Sequence, residues 1–102
     1  MATVLQSADK ALKILNFVLQ QNFVHGIAQT RIATGLSLSP SDVSRYVETL
    51  KGNEFIEIVP ETGFVRPSHR LAKIAVIILN HINYTKEKLD DSLTRIQAVS
   101  EA

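Results

Sequence analysis

The stretch LSLSPSDVSRYVETL, residues 36–50, carries four serines, a proline and a single arginine just where an apolar stripe begins. Ser39-Pro40-Ser41-Asp42 reads as a helix opening. The Ser39 hydroxyl can accept from a free backbone N–H, Pro40 suits the first helical position, and Asp42 faces the positive end of the helix dipole. The helix predicted over 40–51 buries Val43, Val47 and Leu50, which recur at spacings of three and four with Tyr46 beside them. Its other face presents Ser41, Arg45, Glu48 and Gly52, flanked by Ser44 and Thr49. Polar helix faces are ordinarily just solvated. This one, small near its start and carrying one guanidinium, also has the shape of a surface that enters a groove.

The flanking segments supply the context. Upstream, Ala11, Leu12, Ile14, Leu15, Val18 and Leu19 form a broad apolar stripe behind Ser7, a good cap, which predicts a core helix over 8–21. Residues 22–26 break it, and 27–36 reads as a short second helix with Ile32, Ala33 and Leu36 turned inward. Downstream, FIEIVPETGFVRP places β-branched and aromatic residues on both sides of Pro60-Glu61-Thr62-Gly63, the turn signal of a hairpin with strands over 55–59 and 64–66. Ser68 then caps a helix over 69–83, and after Asn83-Tyr84-Thr85 a last helix is predicted over 86–99.

The predicted fold is therefore mainly α with a small β-hairpin wing: a winged helix-turn-helix over 1–67, followed by two C-terminal helices over 68–102. In that fold the third helix enters the DNA major groove and the hairpin lies by the backbone. Small hydroxyls let the helix start come close to phosphate or base edges, and Arg45 can make a bidentate contact, typically to guanine. The expected DNA-binding residues are Ser39, Ser41, Ser44, Arg45 and Thr49 from the third helix, with Arg66, His69, Arg70 and Lys73 as phosphate contacts. For Ser39 the alternative is a simple cap, and for His69 and Arg70 a solvated helix start.

The residues that carry these readings resemble a known family, the IclR-type transcriptional regulators. SADKALKILNFVLQ resembles the family's opening helix, and SLSPSDVSRYVETLKGNEFIEI its recognition helix and first wing strand, with Arg45 where the family commonly has an arginine. Ala33 fits the small residue at the helix crossing, and Ile32, Leu36, Leu38 and Val43 its core positions. Two positions depart from the pattern. Ser37 stands where a glycine with positive φ is usual, so the turn is either strained or of another type. Glu54 stands where glycine often follows the recognition helix, which points to Asn53 for the left-handed position. The family's effector domain would follow the linker helix. The chain stops there, so no small-molecule effector is expected, and short free-standing regulators of this kind resemble those of phages or other mobile elements.

Composition bounds the alternatives. A chain of 102 residues, 45% hydrophobic and 21% charged, fits one small folded domain. It has no cysteine, hence no disulfide framework and no thiolate metal site. The longest apolar run, 74–79, is far short of the roughly 20 residues of a membrane span, so a cytoplasmic protein without membrane contact is expected. His25, His69 and His81 are scattered over different elements, and nothing resembles a nucleophile elbow or a phosphate-cradling glycine loop. Neither an enzyme, nor a metal site, nor a cofactor is expected.

Two expectations concern partners. The 69–83 helix is apolar on more than one face and the 86–99 helix carries a narrow seam, so the chain is expected to homodimerise through Ile74, Ile77, Ile78, Leu89, Leu93 and Ile96. A two-fold dimer then reads an inverted repeat in double-stranded DNA. The formal charge of +1, together with Glu48, Glu57 and Glu61, keeps a rival open. In that rival the winged helix is a protein interaction module, such as an antirepressor or host-protein modulator.

Overall fold

The computed structural model describes residues 5–21 and 23–101, with side chains as far as Val99. Three helices, α1 (Gln6–Leu19), α2 (Gln29–Leu36) and α3 (Pro40–Gly52), precede two strands, β1 (Ile56–Ile58) and β2 (Val65–Pro67), and a long helix α4 (His69–Glu101). This is a winged helix-turn-helix with a C-terminal helix. Its core is made by Ile14 and Val18 of α1, Ile32 and Ala33 of α2, Val43, Val47 and Leu50 of α3, and Ile27, Ile56 and Val65 from the wing side. Burying an aliphatic side chain of this size is worth roughly 1.5–3 kcal/mol, so the α3 stripe alone commits that helix to one rotation about its axis. Its polar face is thereby turned to solvent.

The α1 stripe is narrower than the sequence suggests. Ile14 and Val18 are buried, whereas Leu12 and Leu19 are exposed. The helix also begins earlier than expected, behind Leu5, so Ser7 lies inside it and no side chain caps that end. Asn22, the first residue of the expected break, lies outside the described residues.

Helices α2 and α3 end in the same way. Leu38 N–H bonds to Ala33 O at 3.0 Å and Ser37 N–H to Thr34 O at 3.4 Å. At the end of α3, Phe55 N–H bonds to Leu50 O and Glu54 N–H to Lys51 O, both at 3.0 Å. This is the Schellman closure, which needs a left-handed residue. Ser37 supplies it at φ 56° and Glu54 at φ 63°. The turn expected at Ser37 is thus of the usual type and occupied by a serine. Asn53, expected to take the left-handed position after α3, instead has φ −95°.

The wing is an antiparallel pair in the register Ile56↔Pro67, Glu57↔Arg66 and Ile58↔Val65. β1 is shorter than the expected 55–59, and β2 is shifted by one residue from the expected 64–66. A third segment joins them: Ile27 and Val65 exchange two backbone hydrogen bonds, both 2.8 Å. Ile27 was expected to open α2, but its N–H and C=O are bound to β2, so the helix starts at Gln29. Gly26 permits this approach. It has φ +76°, and a Cβ there would stand 2.5 Å from Val65 O.

The chain divides into two compact units, one ending at Ala72 and the other beginning at Lys73. The start of α4 belongs to the first and is capped as expected: Ser68 Oγ accepts from Leu71 N–H at 3.0 Å and donates to Glu54 O at 2.6 Å. The expected break at Asn83-Tyr84-Thr85 does not occur, so the two C-terminal helices are one. None of the three residues is a helix breaker, and Thr85 Oγ1 donates back to His81 O at 3.0 Å, satisfying its hydroxyl within the helix. Ile77, Ile78, Leu89, Leu93 and Ile96 are each more than half exposed, and Ile74 is half-buried.

Candidate nucleic-acid interface

The exposed start of α3 is built from its cap outward. Ser39 Oγ accepts from Asp42 N–H at 3.1 Å and lies 3.3 Å from Ser41 Oγ. One hydroxyl therefore closes the helix, and Ser41 and Ser44 stand exposed beyond it. Thr49 Oγ1 donates to Arg45 O at 3.2 Å, which leaves it acceptor capacity but ties its proton to the backbone.

Arg45 is the most prominent group on this face, with a side chain 72% exposed. Its Nη2 donates to Asp42 Oδ1 at 3.0 Å, and its guanidinium carbon lies 5.6 Å from the centre of the Tyr46 ring. The other oxygen of Asp42, Oδ2, meets Lys10 Nζ of α1 at 3.5 Å. Desolvation of Asp42 works to raise its pKa, but the hydrogen bond from Arg45 and the charge and hydrogen bond of Lys10 outweigh it. The carboxyl is held below the ordinary aspartate value. In the sequence the helix dipole alone accounts for Asp42, although its i, i+3 spacing to Arg45 is a sufficient signal of the pair.

Beside the wing, three residues expected to face phosphate have intramolecular partners. Arg66 donates from Nε and Nη2 to Glu57 Oε2 at 3.0 and 2.9 Å and from Nη1 to Val24 O at 2.9 Å, with a side chain only 22% exposed. It is a clamp between β1, β2 and the loop before Gly26. Glu57 Oε1 takes both the backbone N–H of His69 at 2.8 Å and its ring Nδ1 at 2.7 Å. Desolvation opposes ionisation of Glu57, yet the hydrogen bonds from His69 and Arg66 and the His69 charge lower its pKa overall. Arg70 Nη2 donates to Asn53 O at 3.0 Å and the guanidinium lies 5.3 Å from the Phe55 ring centre, so it closes the C-terminal end of α3. Lys73, by contrast, is exposed and has no side-chain partner among the described residues, as is the case for Arg31 and Lys51. Neither of the last two was singled out in the sequence.

A model of the IclR helix-turn-helix domain matches residues 7–60, more than half of the chain, from α1 through the first wing strand. The chain belongs to the IclR helix-turn-helix family. As an IclR-type domain it is of the DNA-binding class, and the face led by Arg45 is on the second helix of its helix-turn-helix. The chain is also similar to the crystal structure of Pseudomonas aeruginosa HmgR, with a TM-score of 0.64 and 18% identity, over 74% of this chain and 30% of that one. At that identity the likeness bears on the fold alone, and the IclR-type chain described here spans under a third of HmgR. A comparison with curated proteins finds no match. No helix among the described residues is long and apolar enough to cross a membrane.

Proposed function

We propose that this IclR-type chain is a sequence-specific DNA-binding regulator that acts as a dimer on an inverted repeat. The observation that carries this reading is the exposed, oriented Arg45 on the outward face of α3, in a family whose domain binds DNA. Four of the five guanidinium N–H groups remain for a base edge, enough for the O6 and N7 pair of guanine. Ser41 and Ser44 are small enough to let the helix approach, and Lys73 supplies a free cation for phosphate. Arg70 and His69 can add to it only through the donors their partners leave.

The dimer rests on α4. From Lys73 onward the second unit is helix alone, and a lone helix is marginal in water unless its apolar side is covered. Ile78, Ile82, Leu89 and Ile96, with Leu93 beside them, recur at spacings close to those of a paired seam. A second copy of the helix is the partner that fits. Half-site centres about one DNA turn apart, or a multiple of it, follow from two-fold symmetry.

A second reading, a winged helix that binds protein, is favoured by the engagement of Arg66 and Arg70 inside the fold and by the exposure of Glu48 and Glu61. Titration with a mixed-sequence duplex at low and moderate salt separates the two. DNA binding that weakens steeply with salt supports the first. On a site selected from a randomised duplex pool, Arg45→Ala should then lose about 1–3 kcal/mol and flatten preference at one base pair. No binding at low salt removes DNA as the partner.

A further inference from the structure

We propose that Asp42 is a specificity-determining residue, which positions Arg45 for base reading and holds down binding to random DNA. The inference rests on the reading that Arg45 contacts a base edge.

The guanidinium of Arg45 is restrained from two sides. Asp42 Oδ1 takes one N–H of Nη2 at 3.0 Å, and the Tyr46 ring lies 5.6 Å from its central carbon. Asp42 is itself restrained, because Lys10 of α1 holds Oδ2 at 3.5 Å. The carboxylate thus has one cation on each oxygen, one from the neighbouring helix and one from the next turn of its own. An arginine as exposed as this one would otherwise sample many rotamers, and binding would have to freeze them. Fixing the fork beforehand removes that loss only for the base whose acceptors match the fixed geometry. For other bases the restraint is a hindrance, since the guanidinium must leave Asp42 to reach them.

The same carboxylate acts on phosphate in the opposite sense. It sits in the first turn of the helix that approaches DNA, where a negative charge weakens the sequence-independent attraction. Asp42 therefore raises preference in two ways: it prepares the correct contact and discourages the indiscriminate one. Capping does not account for it, because Ser39 Oγ supplies the cap oxygen and uses only the backbone N–H of Asp42.

The test is a double-mutant cycle on the full chain with Asp42→Asn and Arg45→Ala, measured on a selected site and on random duplex. Asp42→Asn keeps the size of the side chain and the backbone cap, and Asp42→Ser serves as a second variant, with melting temperatures recorded for both. The expected result is a gain in affinity for random duplex together with a roughly two- to tenfold loss of preference for the selected site. In the Arg45→Ala background the loss of preference should vanish while the gain on random duplex persists. A loss of affinity on both DNAs at unchanged melting temperature would overturn the proposal. So would a loss of preference of the same size with Arg45 absent. If Arg45→Ala leaves preference intact, base reading by α3 fails first, whereas if Arg45→Ala flattens preference and Asp42→Asn does not, only the role of Asp42 fails.

Discussion

Arg66 reaches Glu57 across the wing, with Nη2 2.9 Å from Oε2 and Nε 3.0 Å from the same oxygen. The pair stands at a directly facing position of the β1–β2 register and leaves Oε1 free to receive His69. A residue that looks in the sequence like an acidic obstacle to DNA is thus matched by an arginine and by the first turn of α4.

The Glu57 carboxyl gives a pH dependence with a definite sign. Its pKa is lowered in the folded protein, so its contribution is fully present above the ordinary glutamate value of about 4.3 and is lost as pH falls below it toward the folded value. Melting temperature should drop over that acidic window, and Glu57→Gln should flatten the drop while lowering stability at neutral pH. An equally steep acid profile in Glu57→Gln would place the titration elsewhere.

Arg66 and Lys73 should behave differently although the sequence offers both as phosphate-binding cations. Arg66→Ala removes the donors that Arg66 supplies to Glu57 Oε2 and Val24 O and should destabilise the fold by about 1–3 kcal/mol, with little effect on the salt dependence of DNA binding. Lys73→Gln should leave the melting temperature alone and reduce the salt slope by roughly one unit. Chemical denaturation and binding isotherms at several salt concentrations read the two effects separately.

Both left-handed closures are carried by residues with a Cβ. Relief of that conformation, offset by the greater freedom of unfolded glycine, should make Ser37→Gly and Glu54→Gly each stabilising by about 0.5–1 kcal/mol. Thermal unfolding of the two single variants checks this, and a lower melting temperature in either would mean that the side chain there contributes more than the backbone strain removes.

Leu89 tests the dimer. Leu89→Asp places a charge in the α4 seam without touching the core, so sedimentation at micromolar concentration should shift toward monomer. Binding to an inverted repeat should fall more than binding to a single half-site. A native chain that sediments as a monomer at that concentration would remove both the dimer and the palindromic site.

What the sequence disclosed follows from period and punctuation. The α3 opening was legible because Ser39, Pro40 and Asp42 each have a separate physical reason to stand there, and the stripe of Val43, Val47 and Leu50 fixed which face is inward. The hairpin was legible from Pro60-Glu61-Thr62-Gly63. Less local features were hidden. Ile27 has the apolar character of a helix residue, and only the close approach of Val65 gives it to the sheet. The α1 stripe gave no sign that Leu12 and Leu19 stay exposed, since hydropathy does not say where the neighbouring helices end. Asn83-Tyr84-Thr85 resembles a break in composition, yet each residue is tolerated in a helix and Thr85 finds its partner there. For the candidate site, the residue types on α3 were legible, but the matching of Arg66 with Glu57 depends on strand register, which composition cannot supply.

The two hydrogen bonds between Ile27 and Val65 give the wing a cooperativity that a free hairpin lacks. A two-stranded ribbon can fray from its tip, strand by strand, at little loss. Here β2 is the middle of three backbone segments, so pulling it loose would also undo the turn that launches α2 and expose Val65, which has no solvent contact. The wing and the start of the helix-turn-helix are therefore expected to open together, and the amides of Ile27 and Val65 should exchange more slowly than those at the tip of the hairpin.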